Sequence, residues 1–243
     1  MYKNYVFDIY GTLVDIRTNE YELATWQKLA DTLAFYGVNY SAQELEEAYF
    51  ASCELQINQG KANFQYPEVD VVEIFRLICA NKGKKIGKVL AKHLAQEFRA
   101  FSTQHIAVYD GVTETLAKLK KAGKKLYILS NAQACFTAPE IARLGLKKYF
   151  NGIVYSSDYG CAKPDPKFFD VLFKKYDLNK KETVYIGNDA ISDVDGARNA
   201  KIDCLWIKSD LTGKEEPRFP AKYTVADGNF REVAKLLLKD KFC

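Results

Sequence analysis

Short apolar runs alternate with helical patterns along much of the sequence, and this alternation limits the possible folds more than any other feature. Five runs are rich in β-branched and aromatic residues and are bounded by polar residues or glycine; they are 5–7, 126–129, 153–155, 184–186 and 204–207. Nearly continuous hydrophobicity over so few residues is typical of strands buried on both faces of a parallel sheet. Helical patterns lie between the later runs, at 112–122, 168–176 and 191–200. The sequence therefore predicts a doubly wound, Rossmann-like α/β fold.

Residues 16–105 break this alternation. They contain amphipathic helical patterns instead, at 20–36, 41–59, 69–81 and 88–101. Ser41 and Glu44 have the spacing of a capping box at the start of the second pattern. We therefore expect an α/β core made of 1–15 and 106–243, with 16–105 inserted as a helical cap.

Composition excludes several classes of function. The net charge is only +4 and the lysines are scattered, so no nucleic-acid surface is expected. No stretch of about 18 uncharged apolar residues occurs, so no membrane span is expected. The six cysteines show no CxxC pair, which favours free thiols in a reducing compartment. We expect a cytoplasmic protein, as a monomer or a homodimer, that acts on a small molecule.

Three predicted strands end in residues that carry chemistry. Asp8 ends the first strand, Ser130 and Asn131 end the second, and Asn188 and Asp189 follow the fourth. In an open α/β sheet, ligands bind outside the carboxyl ends of the strands. These side chains are therefore expected to surround one site.

A carboxylate at such a site can attack phosphorus and form an acyl-phosphate, which divides hydrolysis into two easier steps. Its negative charge repels a phosphate dianion, so cations are needed beside it. Asp189 and Asp193 could hold Mg²⁺ together with Asp8, because Mg²⁺ prefers oxygen ligands. Lys163 and Ser130 could neutralise and position the phosphoryl oxygens.

The order of these residues closely resembles that of the haloacid-dehalogenase superfamily. Residues 7–15 resemble its first signature, 128–131 its second, 163–166 its third and 186–197 its fourth. The helical insertion lies where this family carries a helical, C1-type cap. The resemblance implies a magnesium-dependent hydrolase of a small phosphorylated metabolite.

The resemblance also implies roles for individual residues. Asp8 would be the nucleophile and a metal ligand, and Tyr10 would offer its backbone carbonyl to the metal. Asp189 and Asp193 would complete the metal site. The remaining candidate catalytic residues are Thr12 as a supporting group near the nucleophile, Ser130 and Asn131 of the second signature, and Lys163 as the partner of Asp8 and the phosphoryl group.

Tyr10 departs from the pattern of the phosphatases in this family, which carry an aspartate there as general acid and base. The L-2-haloacid dehalogenases do carry a tyrosine at this position, and they need no metal. Their cap supplies an arginine for the halide, whereas this sequence has none between Arg17 and Arg76. The fourth signature looks metal-binding and favours a phosphatase. A metal-free dehalogenase and a catalytically silent protein that keeps the metal and phosphate site are the alternatives.

Overall fold

The computed structural model describes residues 2–238, apart from the side chains of 234 and 238. Within this range the strands are β1 Asn4–Phe7, β2 Val14–Thr18, β3 Thr103–Val108, β4 Lys125–Ser130, β5 Gly152–Tyr155, β6 Thr183–Gly187, β7 Asp203–Ile207 and β8 Tyr223–Val225. The α-helices are α1 Leu23–Phe35, α2 Ala42–Gly60, α3 Val71–Asn81, α4 Lys88–Ser102, α5 Val112–Lys121, α6 Ala134–Arg143, α7 Pro166–Tyr176, α8 Gly196–Asn199 and α9 Phe230–Leu238.

Six strands form one parallel sheet in the order β5-β4-β1-β6-β7-β8. Alternate side chains of β1 enter different cores: Tyr5 and Phe7 pack with α5 and α9, and Val6 packs with α7. The doubly wound α/β fold is thus confirmed, and so are the five predicted strands. The sixth strand, β8, was not predicted.

Helices α1 to α4 build a separate layer with its own apolar core around Trp26, Phe75 and Phe98. The predicted capping box at the start of α2 is confirmed, since Ser41 Oγ accepts from Glu44 N and Glu44 accepts from Ser41 N. The chain enters and leaves this layer through the antiparallel pair β2–β3. Both boundaries expected from the sequence lie inside or beside that ribbon, and the division into core 1–15 plus 106–243 and cap 16–105 is kept as a proposal.

Two local predictions need correction. Residues 191–200 were expected to form one α-helix, but the structure has a π-helical turn at Ala190–Asp195 followed by the short α8. Helix α6, which packs Cys135 and Phe136 against the cap, was not predicted.

The structure can be compared with two expectations from composition, those on membrane spans and on cysteines. None of its helices is both long enough and apolar enough to cross a membrane. Cys53, Cys79, Cys135, Cys161 and Cys204 are free thiols, and Cys243 lies outside the described residues.

Candidate active site

The sheet order brings the predicted site residues together. Strand β1 lies between β4 and β6, and the three strands are parallel. Their carboxyl ends therefore meet at one edge, which carries Asp8 after β1, Ser130 at the end of β4 and Asn188 after β6. This edge is the place where an open α/β sheet binds its ligands.

A buried group of five side chains, called here the nucleophile cluster, surrounds Asp8; its members are Asp8, Ser130, Lys163, Tyr185 and Asp193. Ser130 Oγ donates to Asp8 Oδ1 at 2.9 Å, and Lys163 Nζ donates to the same oxygen at 2.7 Å. Among the described residues, none donates a hydrogen bond to the other oxygen, Oδ2. One oxygen of Asp8 is thus held, and the other is available to a ligand.

Lys163 supplies the positive charge of the cluster. Its ammonium donates to Asp8, to Asp193 at 2.7 Å and to the Tyr185 hydroxyl at 2.6 Å, which uses all three of its N–H groups. Burial alone would lower the pKa of Lys163, but Asp193 and Asp8 outweigh it and raise the pKa. The lysine is therefore a fixed cation, although its side chain is almost inaccessible to solvent.

Tyr185 is a member of the cluster that the sequence did not single out. Its hydroxyl lies 3.0 Å from both Asp193 Oδ1 and the Leu129 carbonyl, and it can donate to one of them. Burial is the main reason that the pKa of Tyr185 is raised. It is a neutral donor that completes the shell of Lys163 and Asp193.

Asn131 and Thr12 lie at the site but contact other residues than Asp8. The Asn131 side chain accepts from Lys163 N at 2.8 Å and donates to Lys163 O at 3.0 Å, so it fixes the backbone that carries the lysine. Thr12 is fully buried and donates to Asn188 Oδ1 at 3.1 Å. Their contacts position the loops on either side of Asp8.

Asn188 is packed directly against the loop that follows the nucleophile. A Cβ at Gly11, whose φ is +79°, would lie 2.3 Å from Asn188 Nδ2, so only glycine fits there. The Asn188 carbonyl accepts from Trp206 Nε1 at 2.9 Å. This asparagine was expected at the site as part of the fourth signature, but no catalytic or metal-binding role was predicted for it.

The oxygen atoms at this edge suit Mg²⁺ in kind, because Mg²⁺ is usually held by one or two protein carboxylates and several waters. Both oxygens of Asp193 already accept hydrogen bonds, from Lys163 and from Asp189 N. Asp189 Oδ1 caps the π-helical turn by accepting from Ile191 N and Ser192 N. In the described part of the chain, no three acidic, cysteine or histidine side chains are grouped as a metal site. The predicted ligand set therefore stays a prediction.

Tyr10 belongs to a second group, called here the cap–core cluster: Tyr10, Arg99, Thr137 and Glu140. The Tyr10 hydroxyl is 2.9 Å from Thr137 Oγ1 and donates a short hydrogen bond to Glu140. Arg99, from cap helix α4, donates to Glu140 at 2.8 Å and lies over the Tyr10 ring. Burial chiefly raises the pKa of Tyr10, with Arg99 opposing it and Glu140 adding to it.

Arg99 weakens the sequence argument that the cap supplies no arginine to the site. The early cap contains no arginine, but the last cap helix brings this one to the tyrosine that follows the nucleophile by two residues. A cavity of about 520 Å³ borders Arg99 and Glu140, and Asp8 is not among its lining residues. We place the chemistry at the nucleophile cluster, because buried charged groups converge there.

A loop between α2 and α3 contacts the segment that leads to Lys163. Ala162 N donates to Tyr66 O and Glu68 N donates to Gly160 O, just before Lys163 in the chain. The Glu68 carboxylate accepts from Ser156 Oγ at 2.6 Å, and Gln133 Nε2 donates to Val69 O at 2.8 Å. The helical layer is thus joined to the rest of the chain at a second place besides the cap–core cluster.

Comparison with known proteins agrees with this geometry. A family model described as haloacid dehalogenase-like hydrolase matches residues 2–201. The chain therefore belongs to the haloacid dehalogenase-like hydrolase family.

The curated relatives are matched over part of their length. A glyceraldehyde 3-phosphate phosphatase of Methanothermobacter thermautotrophicus is 29% identical over 44% of this chain and 47% of its own. A phosphoserine phosphatase of Thermus thermophilus is 27% identical over 59% of this chain and 56% of its own. The chain thus spans about half the length of these relatives.

Solved structures match over the whole fold. A HAD phosphatase from Thermococcus onnurineus has a TM-score of 0.61 at 20% identity, covering 97% of both chains. An L-2-haloacid dehalogenase from Xanthobacter autotrophicus has a TM-score of 0.59 at 17% identity, covering 99% of this chain and all of the other. Both classes share the fold, so the fold does not choose between them.

Proposed function

We propose that this protein hydrolyses a small phosphorylated molecule through a covalent aspartyl-phosphate on Asp8. The observation that carries the proposal is the state of the Asp8 carboxylate. Oδ1 is held by Ser130 and Lys163, whereas no residue of the described range donates to Oδ2, at the ligand-binding edge of the sheet. A carboxylate fixed in this way can place one oxygen against phosphorus, and holding the attacking group in place supplies much of the rate.

The surrounding residues support phosphoryl transfer. The Lys163 ammonium offsets negative charge next to Asp8, and Asp193 and Tyr185 keep it in place. Asn131 positions the lysine through its backbone. The named phosphatase relatives favour a phosphorylated substrate over a halogenated one.

Mg²⁺ is the proposed cofactor, and Asp8 would hold it together with the Tyr10 carbonyl and the second oxygen of Asp189. When bound, the ion would neutralise phosphoryl oxygens and reduce their repulsion from Asp8. Asp193 is proposed to act on this site through Lys163, because both of its oxygens are already engaged.

One observation favours a second candidate, a metal-free 2-haloacid hydrolase. Arg99 of helix α4 lies over the ring of Tyr10, two residues after Asp8. In this candidate Asp8 attacks carbon and halide leaves as an anion.

The test is phosphate and halide release by the purified protein from phosphomonoesters and 2-haloacids, each with Mg²⁺ and with EDTA. Phosphate release that needs Mg²⁺ and that falls by at least about 10⁴-fold in Asp8→Asn supports the proposal. Halide release that is insensitive to EDTA replaces it by the second candidate. Phosphate release that persists in Asp8→Asn contradicts the covalent route.

A further inference from the structure

The loop between α2 and α3 contacts both chain segments that bring hydrogen-bond donors to Asp8. One segment, 130–133, starts at the end of β4 with Ser130. The other, 156–163, follows β5 and ends with Lys163. Ser130 and Lys163 are the two donors to Asp8 Oδ1. A restraint on these two segments therefore acts on the geometry of the proposed nucleophile.

The carboxylate of Glu68, in this loop, binds the first segment through a buried serine. Glu68 Oε2 accepts from Ser156 Oγ at 2.6 Å, whereas the other acceptor within reach of that proton, Ala132 O, is 3.3 Å away. With its proton directed to Glu68, Ser156 Oγ accepts from Ala132 N at 2.8 Å. Ser156 is inaccessible to solvent, so these bonds form away from bulk water. Glu68 thus holds the turn two residues after Ser130.

Gln133 makes a second link between the same loop and the first segment. Its Nε2 donates to Val69 O at 2.8 Å and to Glu68 Oε1 at 3.4 Å, and its Oε1 accepts from Val71 N at 3.1 Å. The donors to the Glu68 carboxylate are thus neutral groups, from Ser156, Gln133 and Val69 N. Within the described range no cationic side chain is paired with it, so its place depends on directional hydrogen bonds rather than on a salt bridge.

The backbone of the loop binds the second segment just before Lys163. Glu68 N donates to Gly160 O at 3.0 Å, and Ala162 N donates to Tyr66 O at 2.9 Å. One cap residue, Glu68, is therefore bonded to the first segment through its side chain and to the second segment through its backbone.

Asn131 joins the two segments to each other. Its side chain accepts from Lys163 N at 2.8 Å and donates to Lys163 O at 3.0 Å. A shift of one segment is therefore passed to the other, and with it to the Ser130 hydroxyl and the Lys163 ammonium that hold Asp8. Misplacing reacting groups by about 1 Å can lower a rate by about 10²-fold.

We propose that Glu68 is a positioning residue of the active site, and that Ser130 and Lys163 are correctly placed on Asp8 only while the loop between α2 and α3 is docked on the two segments. The inference rests on the proposed phosphoryl transfer at Asp8. No hydrogen bond of the described range joins Glu68 to Asp8, so Glu68 acts through Ser156 and through the loop backbone. Movement of the cap away from the core would break these bonds, which restricts turnover to the docked arrangement.

The test compares variants of the full chain with the wild-type protein in the hydrolysis of 4-nitrophenyl phosphate with Mg²⁺. Glu68→Ala removes both acceptor oxygens and should lower kcat by about 10-fold or more, with a smaller change in KM. Glu68→Gln keeps an acceptor for Ser156 and should recover most of that loss.

Ser41→Ala is the matched control. It removes the N-terminal cap of α2, about 27 Å along the helix from the loop, and so weakens the helical layer without touching Glu68. Its kcat should equal that of the wild-type protein.

A second readout does not depend on turnover. Backbone hydrogen exchange at Ala132, Ala162 and Lys163 reports the bonds that hold the two segments. We expect Glu68→Ala to speed exchange at these three amides and to leave β1 unchanged, whereas Ser41→Ala should leave all of them unchanged.

Wild-type kcat in Glu68→Ala would overturn the inference and leave the proposed function intact. A loss of kcat without faster exchange would also overturn it, because the loss would not come from release of the two segments. An equal loss in Ser41→Ala would do the same, since the effect would then reflect the stability of the cap alone.

The proposed function fails separately, if the wild-type protein releases no phosphate and Asp8 is not phosphorylated. Hydrogen exchange then decides alone: faster exchange in Glu68→Ala supports the link from Glu68 to the two segments, and unchanged exchange overturns it. If Glu68→Ala does not fold, Ser156→Ala takes its place, because it breaks the link from Glu68 to Ala132. Unchanged kcat and exchange in Ser156→Ala would overturn the inference.

Discussion

The nucleophile cluster and the cap–core cluster are built around residues only two positions apart, Asp8 and Tyr10, yet their charges are balanced in different ways. Asp8, Lys163 and Asp193 all come from the α/β part of the chain and are nearly inaccessible to solvent. Arg99 comes from cap helix α4, whereas Glu140 comes from core helix α6. The first arrangement is complete within one structural unit, and the second requires two. The comparison teaches that the ion pairs around Asp8 form within the α/β part alone, whereas the contacts of Tyr10 depend on how the helical layer packs against it.

The largest effect is expected from Lys163→Met, which removes the only cation of the nucleophile cluster. Two buried carboxylates, Asp8 and Asp193, would then face each other without compensation. Removing one partner of a buried ion pair costs about 3–5 kcal/mol. We expect a loss of that size in the free energy of unfolding, measured in urea, together with loss of phosphate release.

The matched control is Lys118→Met on the exposed face of α5, where a change within about 0.5 kcal/mol is expected. A similar small change for Lys163→Met would mean that its charge is not needed inside the core.

A smaller effect is expected from Arg99→Met, because the cap–core cluster keeps partial access to solvent. Arg99 donates to Glu140, and its guanidinium charge is supported chiefly by that carboxylate against the cost of burial. Hydrogen bonds to charged groups contribute about 1.5–3 kcal/mol. We expect a loss in that range in urea unfolding, and a double-mutant cycle with Glu140→Gln should show coupling of about 0.5–3 kcal/mol. An Arg99→Met effect larger than that of Lys163→Met would reverse the ranking of the two clusters.

The nucleophile cluster was easier to predict from sequence than the cap–core cluster, because its residues come from one part of the fold. The sequence predicted that Asp8, Ser130 and Lys163 lie close together, because ligand sites of a parallel sheet form at the carboxyl ends of its strands. The observed strand order does bring them together. Their roles in catalysis remain predictions.

Tyr185 lies in the middle of the buried strand β6. In sequence it looks like any other aromatic residue of an apolar run, so its contacts with Lys163 and Asp193 could not be predicted. Arg99 reaches Tyr10 only because α4 packs on α6, and a single sequence does not contain that packing. The fourth signature was a different case: a capping carboxylate and a metal ligand look alike in sequence, and the structure shows Asp189 acting as a cap.

Magnesium binding tests which residue beside the nucleophile cluster holds the metal ion. Residues 188 and 189 offer two candidate oxygen ligands, the Asn188 side chain beside Gly11 and the second oxygen of Asp189, to which no described residue donates. With Asp189 as the ligand, Asp189→Asn should weaken Mg²⁺ binding by about 10-fold or more in calorimetric titration. If only Asn188→Asp changes the affinity, by strengthening it, the metal is held by the residue that contacts the nucleophile loop.

The smallest expected effect concerns the other contact between cap and core, at Glu68. Burial raises the pKa of this carboxyl above its ordinary value of 4.5, while Ser156 and Val69 N oppose the change. The folded protein then binds a proton more tightly than the unfolded chain, so the contribution of Glu68 to stability falls as the pH rises from about 4.5 through the raised pKa. Glu68→Gln has no such ionisation, and the wild-type protein should lose stability relative to it between pH 4 and pH 7. Thermal unfolding of both proteins, with Glu47→Gln as the control at an exposed position of α2, measures this difference. If the wild-type protein instead becomes more stable than Glu68→Gln as the pH rises, the hydrogen bonds from Ser156 and Val69 N stabilise the charged carboxylate. The Glu68 contact would then resemble the nucleophile cluster, where neighbouring groups stabilise buried charges.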